Sequence, residues 1–492
     1  MKRIFLFFHF SFLIVYGVSA QTLSLDSCVN MALRANRQVE KAHLQTRQRT
    51  YAVLAMKANF LPNFKASARD LYSTADGSFD ITGGYLPTFT PGADGSLQPN
   101  VLLNPATGQP MMSADGVTPV FQQYAYFPTQ TLKYKFGNIL QAGIIAEQPI
   151  YMGGKIRAGY QMSKLAREMA LQNERLTEAQ VIVGTEEAYT LLVRATEMNS
   201  VALLYDSLLI KLQHDISAAK ARGMASHNDV LKVGVKKDEA ELQVRQTENG
   251  IRLAQMNLCR MIGLPLTAKV YPANPPLTEE TAQVIREADF KLKGQFAGDG
   301  SADSYSISVA QRPEAALLDM KSQLAEQKVR LERSEYLPQV GLAIGYSYLN
   351  GLKLNERRLL DGGNFGALLN VSIPLYHFGE GRNKVRAARM EAEQAQVEQQ
   401  DLTEQMQLEA TREANNIDEA LLELEVTTRS LAQASENLRM ARKSYDAGME
   451  PLSDLLEAQV LYQQALARQV EARCQLSLSL TRYRKATGQE LR

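Results

Sequence analysis

Two stretches of this chain, 225 positions apart, repeat one another, and that repeat constrains its fold more than any other feature. Gly223 and Gly448 are each followed by a methionine, Met224 and Met449. Asp229 matches Asp454, Leu231 matches Leu456 and Gly263 matches Gly488. Upstream, "QPIYMGGKIRAG" and "IPLYHFGEGRNK" keep the same spacing at Pro149/Pro374, Tyr151/Tyr376, Gly154/Gly379 and Arg157/Arg382. One ungapped register over about 115 residues marks an internal duplication. The front of each half matches in a second register, "NFLPNF" at Asn59 to Phe64 against "EYLPQV" at Glu335 to Val340, with Pro62 and Pro338 lying 276 apart. The first half therefore carries 51 extra residues between Pro62 and Pro149, and their Gly-, Pro-, Asp- and Ser-rich text predicts a long loop.

Each half predicts a helix, a strand pair, a long helix and a shorter helix. The first repeat, 21–263, divides into a helix, a strand–loop–strand region at about 60–149, a long helix at 154–222 and a helix at 226–263. A linker follows at 264–305. The second repeat, 306–492, holds a helix with a joint at Pro313, strands at about 337–350 and 366–375, a long helix at 379–447 and a helix at 451–488. The long helices would each span about 100 Å at ~1.5 Å per residue. They are free of proline and rich in Ala, Glu and Gln. Such a helix has no core of its own and must bury its apolar stripe against other helices. The shorter helices, stacked end to end, match it in length and complete an extended coiled-coil layer.

The strands alternate with period two. Val340, Leu342, Ile344, Tyr346 and Tyr348 share one face, while Gly341, Ala343, Gly345 and Ser347 share the other. Four strands of this length can cross a bilayer obliquely, but they cannot close a barrel, whose smallest form has about eight. Open edges in hydrocarbon would leave unpaired N–H and C=O groups at several kcal/mol each. Hairpins in a membrane must therefore be pooled by several copies, two giving eight strands and three giving twelve.

The first 20 residues predict a secretory signal. Lys2 and Arg3 precede an apolar run from Ile4 to Tyr16, and Val18-Ser19-Ala20 forms a small-residue cleavage site. No later apolar run reaches the length of a spanning helix. Lys plus Arg (54) balances Asp plus Glu (53), which gives no footprint for nucleic acid. Cys28, Cys259 and Cys474 are too scattered for a disulfide framework or zinc site. His43, His214, His227 and His377 form no ligand motif, and no phosphate-binding or nucleophile motif is present. Neither an enzyme nor a cofactor is expected.

The breaks between helices carry the candidate sites. In "YDAGMEPLSDLLEAQ", Gly448 is suited to ending the long helix at positive φ and Pro451 to the first position of the next. In the first copy, Ser226 three residues before Asp229 reads as a capping box with Asp in place of Glu. Each repeat thus ends in a helical hairpin.

The duplication, "QPIYMGGKIRAG", "IPLYHFGEGR" and the stretch from Ser444 to Gly488 resemble the TolC family of outer-membrane efflux proteins, over essentially the whole chain after the signal. The resemblance implies an α+β fold in which a homotrimer pools four strands per chain into one membrane β-barrel. That barrel continues into a long periplasmic α-helical coiled-coil barrel, with 265–305 and the C-terminus forming an equatorial region. It implies outer-membrane lipid, a periplasmic adaptor (membrane fusion protein) and an inner-membrane pump as partners. Asp454 and Glu457 match positions of acidic rings at the periplasmic aperture, which would favour cations. Asp229 and Tyr445 match positions in links that hold the aperture closed. The basic partner of those links is replaced here by Glu450, which would repel Asp229. Gly223, Met224, Ser226, Gly448, Met449 and Pro451 mark the hairpin tips, where an adaptor would touch. The competing expectation is a periplasmic coiled-coil structural or adaptor protein, which would share the helices but need no lipid-facing strands.

Overall fold

The computed structural model describes residues 21–273, 308–355 and 357–489. The signal segment and most of the linker at 264–305 lie outside the described residues. The chain divides into two compact units, one of helices (1–56, 157–333 and 379–492) and one of strands (57–156 and 334–378).

The strand unit is built on one sheet. Strands β2 (Asn63–Tyr72), β8 (Gln130–Met152), β10 (Gln339–Leu354) and β11 (Arg357–Ser372) pair antiparallel in the order β11-β10-β8-β2, and β3 (Asp76–Ile81) also pairs with β8. The register sorts side chains by chemistry. In one row Ala66 faces Ile144, which faces Tyr346, which faces Phe365; in the next, Phe64, Ala146, Ile344 and Ala367 line up. These rows form a continuous apolar face. Phe64 and Phe365 are exposed there to 72% and 73%, and Ile144 to 61%. The opposite face carries Lys65, Ser67, Ser347, Asn364 and Glu147, with Lys65 Nζ 2.6 Å from Glu147 Oε2. Alternation along each strand thus becomes two-sidedness of the whole sheet.

Two sequence expectations for this unit need correction. The last strand spans Arg357–Ser372 rather than 366–375. Gly362, Gly363 and Gly366 lie within it, and their backbones pair with β10. Pairing requires no side chain, and the Tyr346 ring occupies the space a Cβ at Gly363 would take. The 51-residue insertion is also no plain loop. It folds into β4 (Gly84–Pro87) paired with β7 (Tyr124–Phe127) and β5 (Phe89–Pro91) paired with β6 (Leu97–Pro99). Tyr85 and Tyr126 meet there with ring centroids 5.3 Å apart. The Asp and Gly residues that suggested loop form its turns. Asp94 accepts from the Ser96 amide at 3.0 Å, and Asp115 from the Val117 amide at 3.0 Å.

The helical unit holds α1 (Leu25–Ala35), α2 (Arg37–Ala58), α3 (Lys155–Ala221), α4 (His227–Ile262), α5 (Pro313–Ser334), α6 (Glu380–Asp446) and α7 (Leu452–Thr487), with β1 (Gln21–Leu23) paired parallel to β9 (Val270–Pro272). The two long helices have 67 residues each and the two that follow them 36 each. None of the described helices is long and apolar enough to cross a membrane. The first helix is split at Asn36, and α5 starts at Pro313, so that proline opens a helix instead of jointing one.

The duplication reappears in contacts. Asn36 donates to the Met261 carbonyl at 3.3 Å, and Arg312 donates to the Ala486 carbonyl at 3.4 Å. These are the same positions in the two registers, 276 apart for the donors and 225 for the acceptors. In both halves the shorter helices therefore meet end to end at a left-handed glycine, Gly263 at φ 77° and Gly488 at φ 71°. Arg312 is buried and pairs with Glu314 at 3.1 Å and Glu409 at 2.7 Å. The cysteines are free and buried, and burial pushes the Cys28 and Cys474 thiols up to about 11.

Candidate functional site: the helical hairpin tips

The two helix breaks have one geometry. The Met224 amide donates to the Ala219 carbonyl at 2.9 Å, and the Met449 amide to the Ser444 carbonyl at 2.9 Å. Gly223 has φ 75° and Gly448 φ 73°, a conformation that costs a residue with a Cβ. Each pair is a Schellman-type helix stop.

The restarts differ. Ser226 caps α4 with a full capping box, its Oγ accepting from the Asp229 amide at 3.1 Å while Asp229 Oδ2 accepts from the Ser226 amide at 3.2 Å. Hydrogen bonds from the Ser226 side chain and backbone hold the Asp229 carboxyl below its usual range. At the second tip Pro451 is the cap itself and Leu452 the first helical residue, one position later than the sequence suggested. Pro451 offers no side-chain acceptor, and Asp454 Oδ1 instead accepts from the Ser453 hydroxyl at 2.9 Å.

A shared core joins the tips. Leu209, Leu212 and Ile216 of α3, Val233 of α4, Ala441 of α6 and Leu452, Leu455 and Leu456 of α7 are buried together, with Tyr445 packed against them. Burial and then the charges of Asp229, Asp446 and Asp215 raise the Tyr445 phenol above its usual range. Tyr445 and Asp229 thus belong to one electrostatic neighbourhood within a single chain. Arg442 reaches the same region, 3.9 Å from Asp215. Glu457 lines an open cleft of about 540 Å³ with Lys232 and Lys236. Glu457 and Lys232 are equivalent positions of the repeat, so the duplicated helices meet there with opposite charges. Glu450 is half-buried, and Asp454, Met224 and Met449 are exposed. Among the described residues Glu450 has no ion-pair partner. Sequence reasoning missed Lys220, whose Nζ lies 2.9 Å from His227 Nδ1. The repeat register pointed to it, since Lys220 is the equivalent of Tyr445.

An amphipathic sheet joined in one duplicated chain to long paired helices is an architecture shared with solved outer membrane channels. The chain superimposes on the outer membrane protein VceC of Vibrio cholerae with a TM-score of 0.69 at 13% identity, covering 95% of this chain and 97% of that one. The CmeC outer membrane channel of Campylobacter jejuni gives 0.67 at 17% identity, covering 94% and 85%. The open state of the Neisseria gonorrhoeae MtrE outer membrane channel gives 0.64 at 15% identity, covering 95% and 89%. These likenesses establish the fold. No curated protein matches the chain. Residues 305–489 match the family model described as outer membrane efflux protein. The CmeC and MtrE proteins it resembles are outer membrane channels.

Proposed function

We propose that the chain is the outer-membrane exit duct of a tripartite efflux or secretion system. Three copies pool twelve strands into one barrel, and their helices form a periplasmic tunnel through which substrates pass passively. The observation that carries this reading is the sheet, with one face apolar and exposed, the other polar, and free edges at β2 and β11. In lipid those edges must be paired by neighbouring copies. The polar face then lines the lumen and the apolar face meets lipid. With no nucleotide-binding motif in the chain, the driving energy comes from an inner-membrane pump through a periplasmic adaptor.

On this reading the tips form the periplasmic aperture. Asp454 and Glu457 repeat around the axis as acidic positions, and Met224 and Met449 offer the adaptor exposed, adaptable apolar side chains beside Gly223, Ser226, Gly448 and Pro451. Asp229, Tyr445 and Glu450 set the closing contacts. Because Glu450 is an acid with no cationic partner among the described residues, the closed aperture is held by packing more than by charge pairing. Glu450→Arg is expected to tighten closure, lowering single-channel conductance in planar bilayers. Unchanged conductance would remove Glu450 from the latch.

The test of the function as a whole is the native state. The full chain is expected in detergent-extracted outer membranes as a stable trimer, and a deletion strain is expected to accumulate cargo. Recovery as a soluble periplasmic monomer would favour the coiled-coil adaptor reading instead.

A further inference from the structure

In the second repeat, the helix that precedes the strands is tied to the long helix by direct ion pairs. Lys321 of α5 lies 2.6 Å from Glu398 of α6, and Lys328 pairs with Glu391. The equivalent helices of the first repeat, α2 and α3, have no Lys–Glu pair among the described residues. A different cluster stands between them. His43 and Thr46 lie one turn apart on α2, and Glu174 and Glu178 lie one turn apart on α3. His43 Nδ1 is 2.6 Å from Glu174 Oε1. Thr46 donates its hydroxyl to Glu174 Oε2 at 2.5 Å, which fixes the orientation of that carboxylate. One donor atom from each of His43, Glu174 and Glu178 lies within 4.8 Å of the other two.

The charge balance of this cluster is incomplete. Two carboxylates on adjacent turns repel one another. The Glu174 side chain is only 13% exposed, and no Lys or Arg pairs with either glutamate among the described residues. Where the second repeat supplies lysines, the first supplies an imidazole and two carboxylates. We propose that His43, Glu174 and Glu178 bind one divalent transition-metal ion of the zinc class, which clamps α2 to α3.

The donor chemistry suits such an ion. Zinc accepts imidazole nitrogen and carboxylate oxygen at about 2.0–2.2 Å, so donors sharing one ion sit about 3–3.5 Å apart. The three donors reach that spacing by small side-chain rotations, which part His43 from Glu174 slightly and draw Glu178 inward. His43 is 58% exposed, so water can complete the coordination. Thr46 acts as a positioning residue, holding the oxygen of Glu174 that faces away from His43. The second repeat does not conserve the set. Asp319, Gln399 and Thr403 occupy the equivalent positions, so the clamp is specific to the first repeat.

The test uses the full-length protein in detergent, stripped with EDTA and titrated with ZnCl2. About one zinc per chain is expected by equilibrium dialysis, with at least tenfold weaker binding for His43→Ala and for Glu178→Gln. Cobalt substitution is expected to give visible absorption bands that His43→Ala removes. Zinc should raise the thermal midpoint of the wild type and leave that of the double variant, His43→Ala with Glu178→Gln, unmoved. His43 is exposed and Glu178 half-buried, so these variants are expected to keep the helical circular dichroism of the parent. Absence of stoichiometric binding in the wild type would overturn the proposal. Equal zinc uptake by the double variant would also overturn it, by locating the metal elsewhere.

Discussion

Ile144→Arg is expected to abolish recovery of the assembled protein from the outer membrane, whereas Ser347→Arg, on the neighbouring strand, leaves assembly intact. Ile144 stands near the middle of the apolar face, in the row Ala66, Ile144, Tyr346, Phe365. Ser347 pairs with Gly143 and points to the other face. An arginine on the lipid face near the bilayer midplane costs about 2–4 kcal/mol. In the proposed trimer three such charges would share one barrel, and the summed cost rivals the whole stability of a typical domain, about 5–15 kcal/mol. On the polar face the same side chain meets water. Outer-membrane fractionation followed by unheated and heated gel electrophoresis reads both variants. Equal tolerance of the two arginines would mean that the sheet meets no lipid, the outcome the coiled-coil adaptor reading requires.

The face of Ser347 was legible in the sequence, because Val340 to Tyr348 alternates cleanly and period two needs no tertiary context, whereas Ile144, beside Ile145, is placed by its pairing with Tyr346. The helix breaks were legible for a related reason: Gly223 and Gly448 answer a purely local demand for positive φ, and duplication doubles the signal. The far end of β11 was not, since Gly362, Gly363 and Gly366 carry no side-chain pattern and are placed by pairing with β10. The shift of Pro451 from first helical residue to cap follows from its extended ψ of 159°, which local sequence does not dictate. The cluster at His43 lay beyond reach altogether. Its residues have no motif spacing, and they meet only because α2 and α3 pack in one particular register.

Leu209→Ala is expected to destabilise the tip end of the helical unit by about 2–5 kcal/mol, and Leu455→Ala by a similar amount. Leu209 is 0% exposed and Leu455 2%, and both belong to the cluster that gathers α3, α4, α6 and α7. A 67-residue helix gains little from propensity toward fixing its neighbours, so the register of the two tips depends on buried side chains such as these. Because both leucines sit in one cluster, their effects should not add, and a double-mutant cycle should give a coupling of about 0.5–3 kcal/mol. Met224→Ala and Met449→Ala, on exposed residues at the same end, are expected to stay within about 0.5 kcal/mol of the parent. Hydrogen exchange at 205–240 and 438–460 localises the effect, and protection there should fall for the leucine variants alone. If the tips are also the aperture, the same variants should leak more current in planar bilayers, since packing rather than charge pairing at Glu450 then keeps the end closed. Loss of protection without added leak would separate the tips' structural role from the gate.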